Sequence, residues 1–154
     1  MDLGSALLVV AVSAAPIAEL RGGIPLALAR GFSPAGAYGL AVAANLLAVP
    51  LVLFGLNRAE ALALRWRPAR CALEWLFART RRRGRLIERV GAAALLLFVA
   101  VPLPGTGAWT GAVAARLFGI RSGKAALWIG LGVLVAGVVV LLVSLGLFEL
   151  FGIG

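Results

Sequence analysis

From Ala35 to Leu56, and again from Ala125 to Phe148, the sequence carries no charged residue. Runs of 22 and 24 residues are long enough for a helix to cross a hydrocarbon core about 30 Å thick, at about 1.5 Å per residue. Of the 154 residues, 62% are hydrophobic and 14% charged. A soluble domain carries about 45–50% and about 25%. The mean hydropathy is +1.05. The chain reads as one all-α integral membrane domain.

Two shorter apolar stretches do not fit simple spans. Leu3 to Ala15 covers only about 20 Å as helix. It runs into Pro16-Ile17-Ala18-Glu19-Leu20-Arg21-Gly22-Gly23-Ile24-Pro25, where a carboxylate and a guanidinium sit among prolines and glycines. Val90 to Val101 likewise runs into Pro102-Leu103-Pro104-Gly105-Thr106-Gly107. A charge at bilayer depth costs about 2.5–3.5 kcal/mol on insertion scales. Broken backbone is tolerated there only where protein or a water-filled cavity covers it. Such costly features mark a functional site, with hairpin breaks expected at Pro16, Pro25, Pro102 and Pro104. Residues 6–15 also have the length of a signal-peptide core. The acidic start, Met1-Asp2, argues against that, and the segment is read as structure.

The two halves share one order: short apolar piece, Pro/Gly break, shorter apolar piece, Arg, Phe, long apolar run. Pro16 and Pro102 are 86 apart, as are Arg30 and Arg116, and Phe32 and Phe118. This reads as an internal repeat. Repeat 1 is 1–57, with a hairpin over 3–30 and a transmembrane helix over 35–57. Repeat 2 is 88–154, with a hairpin over 90–116 and a helix over 124–149. Between them, 58–87 is basic: ten of the fifteen Lys and Arg residues lie between Arg58 and Arg89. Leu62, Trp66, Ala69, Leu73, Leu76 and Phe77 recur at helical spacing, so this linker reads as an amphipathic segment on the cytoplasmic surface. The positive-inside rule accounts for its charge without a nucleic-acid partner.

Charge also decides topology. If each broken segment crossed fully, Arg116, Arg121 and Lys124 would lie outside. If each is re-entrant, these residues and 58–87 lie inside, both termini lie outside, and the halves are inverted repeats. The expected location is the inner (cytoplasmic) membrane, as a multi-pass protein in contact with the lipid bilayer.

The chain has no histidine and one cysteine, Cys71. That removes thiolate clusters and His-dependent zinc or nucleophile chemistry. No enzyme activity, cofactor or metal is expected. In the re-entrant arrangement the breaks meet near the membrane centre. Arg21, the Thr106 hydroxyl, and backbone N–H groups around Gly22, Gly23, Gly105 and Gly107 would form an anion site. Glu19 is the candidate proton carrier: apolar surroundings favour its neutral form and Arg21 its ionised form. A structural reading, a Glu19–Arg21 ion pair stapling the hairpin, is compatible with this. Asn45 reads as an interhelical hydrogen-bonding residue, with a second reading as a substrate contact; Trp109 as packing, with a second reading as lining the path; and Arg30 and Arg116 as interfacial anchors, Arg116 with a second reading as a headgroup contact.

At Glu19-x-Arg21-Gly22-x-Ile24-Pro25 and Pro102-x-Pro104-Gly105-Thr106-Gly107 the sequence resembles the small multi-drug export protein family, over nearly its whole length. That family is in turn similar to the DedA (VTT-domain) membrane proteins. The second resemblance implies two re-entrant hairpins, each followed by a membrane helix, and movement of polyprenyl phosphate or phospholipid with proton or sodium coupling. Glu19 would match the acidic residue of the first hairpin. The DedA second hairpin carries arginines near its Pro-Gly turn, where Val101, Leu103 and Gly107 stand here. The expectation is a proton-coupled secondary transporter for an anionic or lipid-phosphate substrate. Export of small cationic drugs on Glu19 alone, or a non-transporting membrane scaffold, are the alternatives. A homodimer is compatible with so small a carrier.

Overall fold

A computed structural model describes residues 2–63, 65, 93–102 and 106–150. Among these, six α-helices and no strand occur: α1 (Leu3–Ala14), α2 (Glu19–Ala29), α3 (Pro34–Ala63), α4 (Ala93–Ala100), α5 (Ala108–Leu117) and α6 (Ser122–Leu150). Most of the linker, with Trp66, Trp75 and Cys71, lies outside the described residues, as do Pro104 and Gly105. At about 1.5 Å per residue the 30-residue α3 and 29-residue α6 reach roughly 45 Å. Both are long and apolar enough to cross a membrane. The four short helices, of 8 to 12 residues, reach only about 12–18 Å. Over the described residues, none of the four is long enough to cross alone.

Local chemistry sets the ends. Asp2 caps α1, its Oδ1 accepting from the Gly4 N–H at 2.7 Å. Ala15 is extended (ψ 143°), as the residue before a proline must be, and α1 stops. α2 and α5 each finish on a left-handed glycine, Gly31 (φ 77°) and Gly119 (φ 70°). The following N–H folds back in each case: Phe32 to the Ala27 carbonyl at 3.1 Å, Ile120 to the Ala115 carbonyl at 2.9 Å. These are Schellman closures, which a Cβ would strain. α3 then starts at Pro34, suited to a first turn where an N–H has no partner.

Two expectations are corrected. Pro25 does not break the chain; it lies inside α2, where it removes the N–H that would reach the Arg21 carbonyl. The first long helix does not stop at residue 57 but runs to Ala63. Arg58, Glu60, Leu62 and the alanines here are good helix formers, so the helix outlasts the apolar run.

Beyond the breaks, several features recur at a spacing of 88 residues rather than 86. Gly31 and Gly119, and the starts of α3 and α6, obey this spacing. So do the buried faces: Leu20, Gly23, Ile24 and Ala27 in α2 match Ala108, Gly111, Ala112 and Ala115 in α5.

α1, α2 and α3 pack together, as do α4, α5 and α6. The groups join through α3 against α6, α2 against α6, and α5 against α3. α3 and α6 run antiparallel. Near one end Asn57 Nδ2 donates to Ser122 Oγ at 3.3 Å; further along, Tyr38 Oη donates to the Leu134 carbonyl at 3.1 Å. Much of the core is alanine: Ala27, Ala37, Ala41, Ala112, Ala115 and Ala125 are wholly buried. Lipid gives large side chains little hydrophobic reason to associate, and small residues let backbones approach closely. The outer faces carry Leu47, Leu51, Phe54, Leu131 and Leu142, all exposed.

The hairpin α1–α2 has its open end beside the start of α3, where Arg30 Nη1 donates to Ser5 Oγ at 3.1 Å. The hairpin α4–α5 has its open end beside the far end of α3, where Arg116 pairs with Glu60. The two hairpins therefore approach from opposite ends of the α3–α6 pair and meet tip to tip.

Candidate functional site

Glu19 opens α2 with φ 46°, the one non-glycine residue in the left-handed region among those described. That conformation costs about 1–3 kcal/mol and persists only where surrounding contacts hold it. Here the contacts lie on the other hairpin. The Glu19 carboxylate accepts from the Ala108 N–H (Oε2, 3.3 Å) and the Trp109 N–H (Oε1, 3.2 Å). These are the first two residues of α5, whose leading N–H groups have no partner within the helix and carry its partial positive charge. Glu19 thus caps a helix 89 residues away in sequence.

Gly107 makes this approach possible. A Cβ there would lie 1.9 Å from Glu19 Oε2. Its backbone is extended (φ 171°), so close approach, not an unusual dihedral, is what requires glycine.

Arg21 crosses the same gap. Its Nη2 donates to the Thr106 carbonyl and, at 3.1 Å, to Thr106 Oγ1. The Thr106 hydroxyl donates to the Val101 carbonyl at 2.7 Å, tying the end of α4 to the start of α5. Glu19 and Arg21 do not pair with each other; each reaches across to the second tip. Trp109 returns the contact, Nε1 donating to the Ala14 carbonyl at 3.1 Å. An indole N–H thereby satisfies one of the unpaired carbonyls at the end of α1.

Gly22 and Gly23 lie within α2 against α1. The Gly22 N–H is committed to the Ala18 carbonyl at 3.0 Å. A Cβ on Gly23 would meet Ser13 Oγ at 1.9 Å. What these two glycines do here is bring the arms of the first hairpin together. Pro102 lines a narrow crevice beside the tips.

Outside the contact lies an open cleft of about 200 Å³, lined by Pro16, Ile17, Glu19, Arg21, Thr106 and Thr110. No group of three or more His, Cys, Asp or Glu able to hold a metal occurs among the described residues.

Sequence reasoning missed three participants. The Ala108 and Trp109 N–H groups could have been found as the first donors after the second break. The Trp109 indole, expected as packing or as lining the path, donates across to the Ala14 carbonyl. Arg116, read as an anchor, is ion-paired with Glu60; residues 56 apart on different helices leave no local signal of this.

Residues 19–139 match the family described as putative small multi-drug export protein. The chain belongs to this family. The matched region begins at Glu19, takes in both tips and extends well into α6. Among curated proteins and among solved structures, nothing matches the chain. Membership in the small multi-drug export family, with two long apolar helices, makes this a membrane protein.

Proposed function

We propose that the chain is a proton-coupled secondary transporter of small anionic groups, built from two inverted repeats whose re-entrant hairpins meet at mid-membrane. The observation that carries this reading is the seating of the Glu19 carboxylate on the N-terminus of α5, beside the Arg21 guanidinium. A site that holds one carboxylate there has the donors to hold another anion. Protonation of Glu19 removes its charge and weakens its hold. The Ala108 and Trp109 N–H groups then become available to a substrate anion, and Arg21 supplies the counter-charge. Proton and anion therefore load together. Exchange of the hairpins' contacts would open the site to one face and then the other, as in other inverted-repeat carriers.

The cleft's size supports a small headgroup. At about 200 Å³ it is below the roughly 300–1,000 Å³ of drug-sized sites. A phosphate or carboxylate fits, with any lipid tail lying along the exposed apolar faces. A guanidinium lining the cleft also disfavours a cationic drug. The shared caps and buried positions of the two halves support the repeat, and the basic residues at 58–89 and 116–124 support a cytoplasmic side.

The test is transport in proteoliposomes carrying an internal pH dye, with inorganic phosphate and a short polyprenyl phosphate as probes. Loss of anion-dependent proton uptake in both Glu19→Gln and Arg21→Ala supports the proposal. Loss in Glu19→Gln alone points to cation exchange, and no loss in either points to a scaffold. Thiol labelling of Asp2→Cys, Leu20→Cys, Gly119→Cys and Ile153→Cys tests topology. Residues 2 and 153 should label from outside and residue 119 from inside; the reverse for 119 overturns the re-entrant arrangement.

A further inference from the structure

Asn45 sits on α3 at the height of the tips and is 1% exposed. Its Nδ2 donates to the Ser13 carbonyl at 3.0 Å. A carbonyl can only accept, so this bond fixes which end of the amide is the nitrogen. The other end, Oδ1, is buried and has no hydrogen-bond partner. In the second half the corresponding position, 88 residues on, is Val133, equally buried at 1%. An apolar residue therefore packs at this height, and an amide acceptor there is not demanded by packing; the Ser13 hydroxyl and Asn57 Oδ1 are also buried without a partner.

Oδ1 needs a donor. Asn45 lines one crevice with Glu19, Leu20, Arg21 and Thr106. At about 10 Å³ the crevice is too small for more than about one water. Of the groups around it, Glu19 is the one that gains a donor on protonation: a carboxylate only accepts, a carboxylic acid also donates.

We propose that Asn45 is the second seat of Glu19. Ionised, the Glu19 carboxylate caps α5 through Ala108 and Trp109. When a proton from water adds to a Glu19 oxygen, the new O–H turns to Asn45 Oδ1. The two α5 N–H groups lose their acceptor and face the incoming anion. Arg21, on α2, is the other charged group lining the crevice; the lining residues of α3, α4, α6 and the second break carry no charge. Asn45 is a positioning residue: it acts by giving the neutral state of Glu19 a partner of its own. This inference rests on the proton-coupled reading and supplies its two-position element.

The experiment is pH-difference infrared spectroscopy of the full chain in lipid. A protonated-carboxyl band should appear on acidification and vanish in Glu19→Gln. In Asn45→Val it should move to higher wavenumber, as a carboxyl without an acceptor does, and appear at a pH lower by up to about one unit, the worth of one hydrogen bond. Ser13→Ala keeps the carbonyl that holds Asn45 and should leave the band in place. In the unsubstituted chain, the side-chain carbonyl carbon of Asn45 should titrate with the Glu19 carboxyl by NMR, while that of Asn57 does not. This second measurement needs no altered residue to fold. An unchanged band in Asn45→Val, or an Asn45 resonance indifferent to pH, overturns the assignment and leaves the proton reading standing. A Glu19 carboxyl that never protonates removes both.

Discussion

The seating of Glu19 can be tested without removing either charge. In Gly107→Ala the added methyl would lie 1.9 Å from Oε2, 2.6 Å from Cδ and 2.7 Å from Oε1 of Glu19. All three distances are below any real contact, so the carboxylate must leave. The backbone at 107 is extended and tolerates alanine, so the penalty comes from the displaced contact. Two N–H to carboxylate bonds are lost. Hydrogen bonds to charged groups contribute about 1.5–3 kcal/mol each, and at 3.2 and 3.3 Å these belong at the low end. The expected loss is about 3 kcal/mol. For a chain of this size that corresponds to a Tm lower by roughly 6–12 °C. The assay is thermal unfolding in nanodiscs, run as a double-mutant cycle with Glu19→Ala. Without the carboxylate the three atoms nearest the new methyl are gone, and Gly107→Ala should then cost clearly less than it does beside Glu19. Equal cost in both backgrounds would refute the reasoning: the carboxylate would not be resting against Gly107.

Three further outcomes follow from other contacts. Gly39→Ala in α3 and Gly146→Ala in α6, where an added Cβ meets nothing within 4 Å, should each raise stability by about 0.5–1 kcal/mol through helix propensity, measured by the same unfolding assay. Glu60→Gln should destabilise by about 1–3 kcal/mol in denaturant, because Arg116, whose Nε already has no partner, keeps its charge and loses its counter-ion; Arg116→Met should cost less. Asp2 is held below its ordinary value, first by the Gly4 N–H and then by the Ser5 hydroxyl. A depressed folded-state value means its cap is at full strength above the usual aspartate range and is lost as pH falls through the folded value. Protection of the Gly4 amide, its exchange measured against the intrinsic rate at each pH, should therefore fall in acid in the native chain and be far less acid-sensitive in Asp2→Asn.

The sequence made the long helices legible because α3 and α6 are apolar over more residues than a bilayer is thick. It also singled out Glu19, Arg21, Thr106 and Gly107, since charges and Pro/Gly breaks are costly in lipid unless used. It failed where hydropathy and helix formation part company. The apolar run ends at Leu56, but the helix continues to Ala63, because arginine, glutamate, leucine and alanine are good helix formers whatever their hydropathy. Pro25 looked like a break, yet a proline ring denies one hydrogen bond without ending a helix packed on both sides. The role of Gly107 was legible only as permission for close approach. What approaches it, a side chain from position 19, depends on tertiary geometry. The same holds for Arg116 and Glu60, and for Asn45, whose unsatisfied oxygen is visible only once its nitrogen is placed.

The ionic side chains that bridge the tips, Glu19 and Arg21, both come from α2; the tip of α5 answers with backbone groups, a hydroxyl and an indole. The matching halves are therefore not interchangeable. Two copies of the first would set carboxylate against carboxylate with no vacant helix start to receive either. Two copies of the second would bring no ionisable group to the centre. A division of labour separates the two tips: one brings the charged side chains and the other the helix start on which the carboxylate rests.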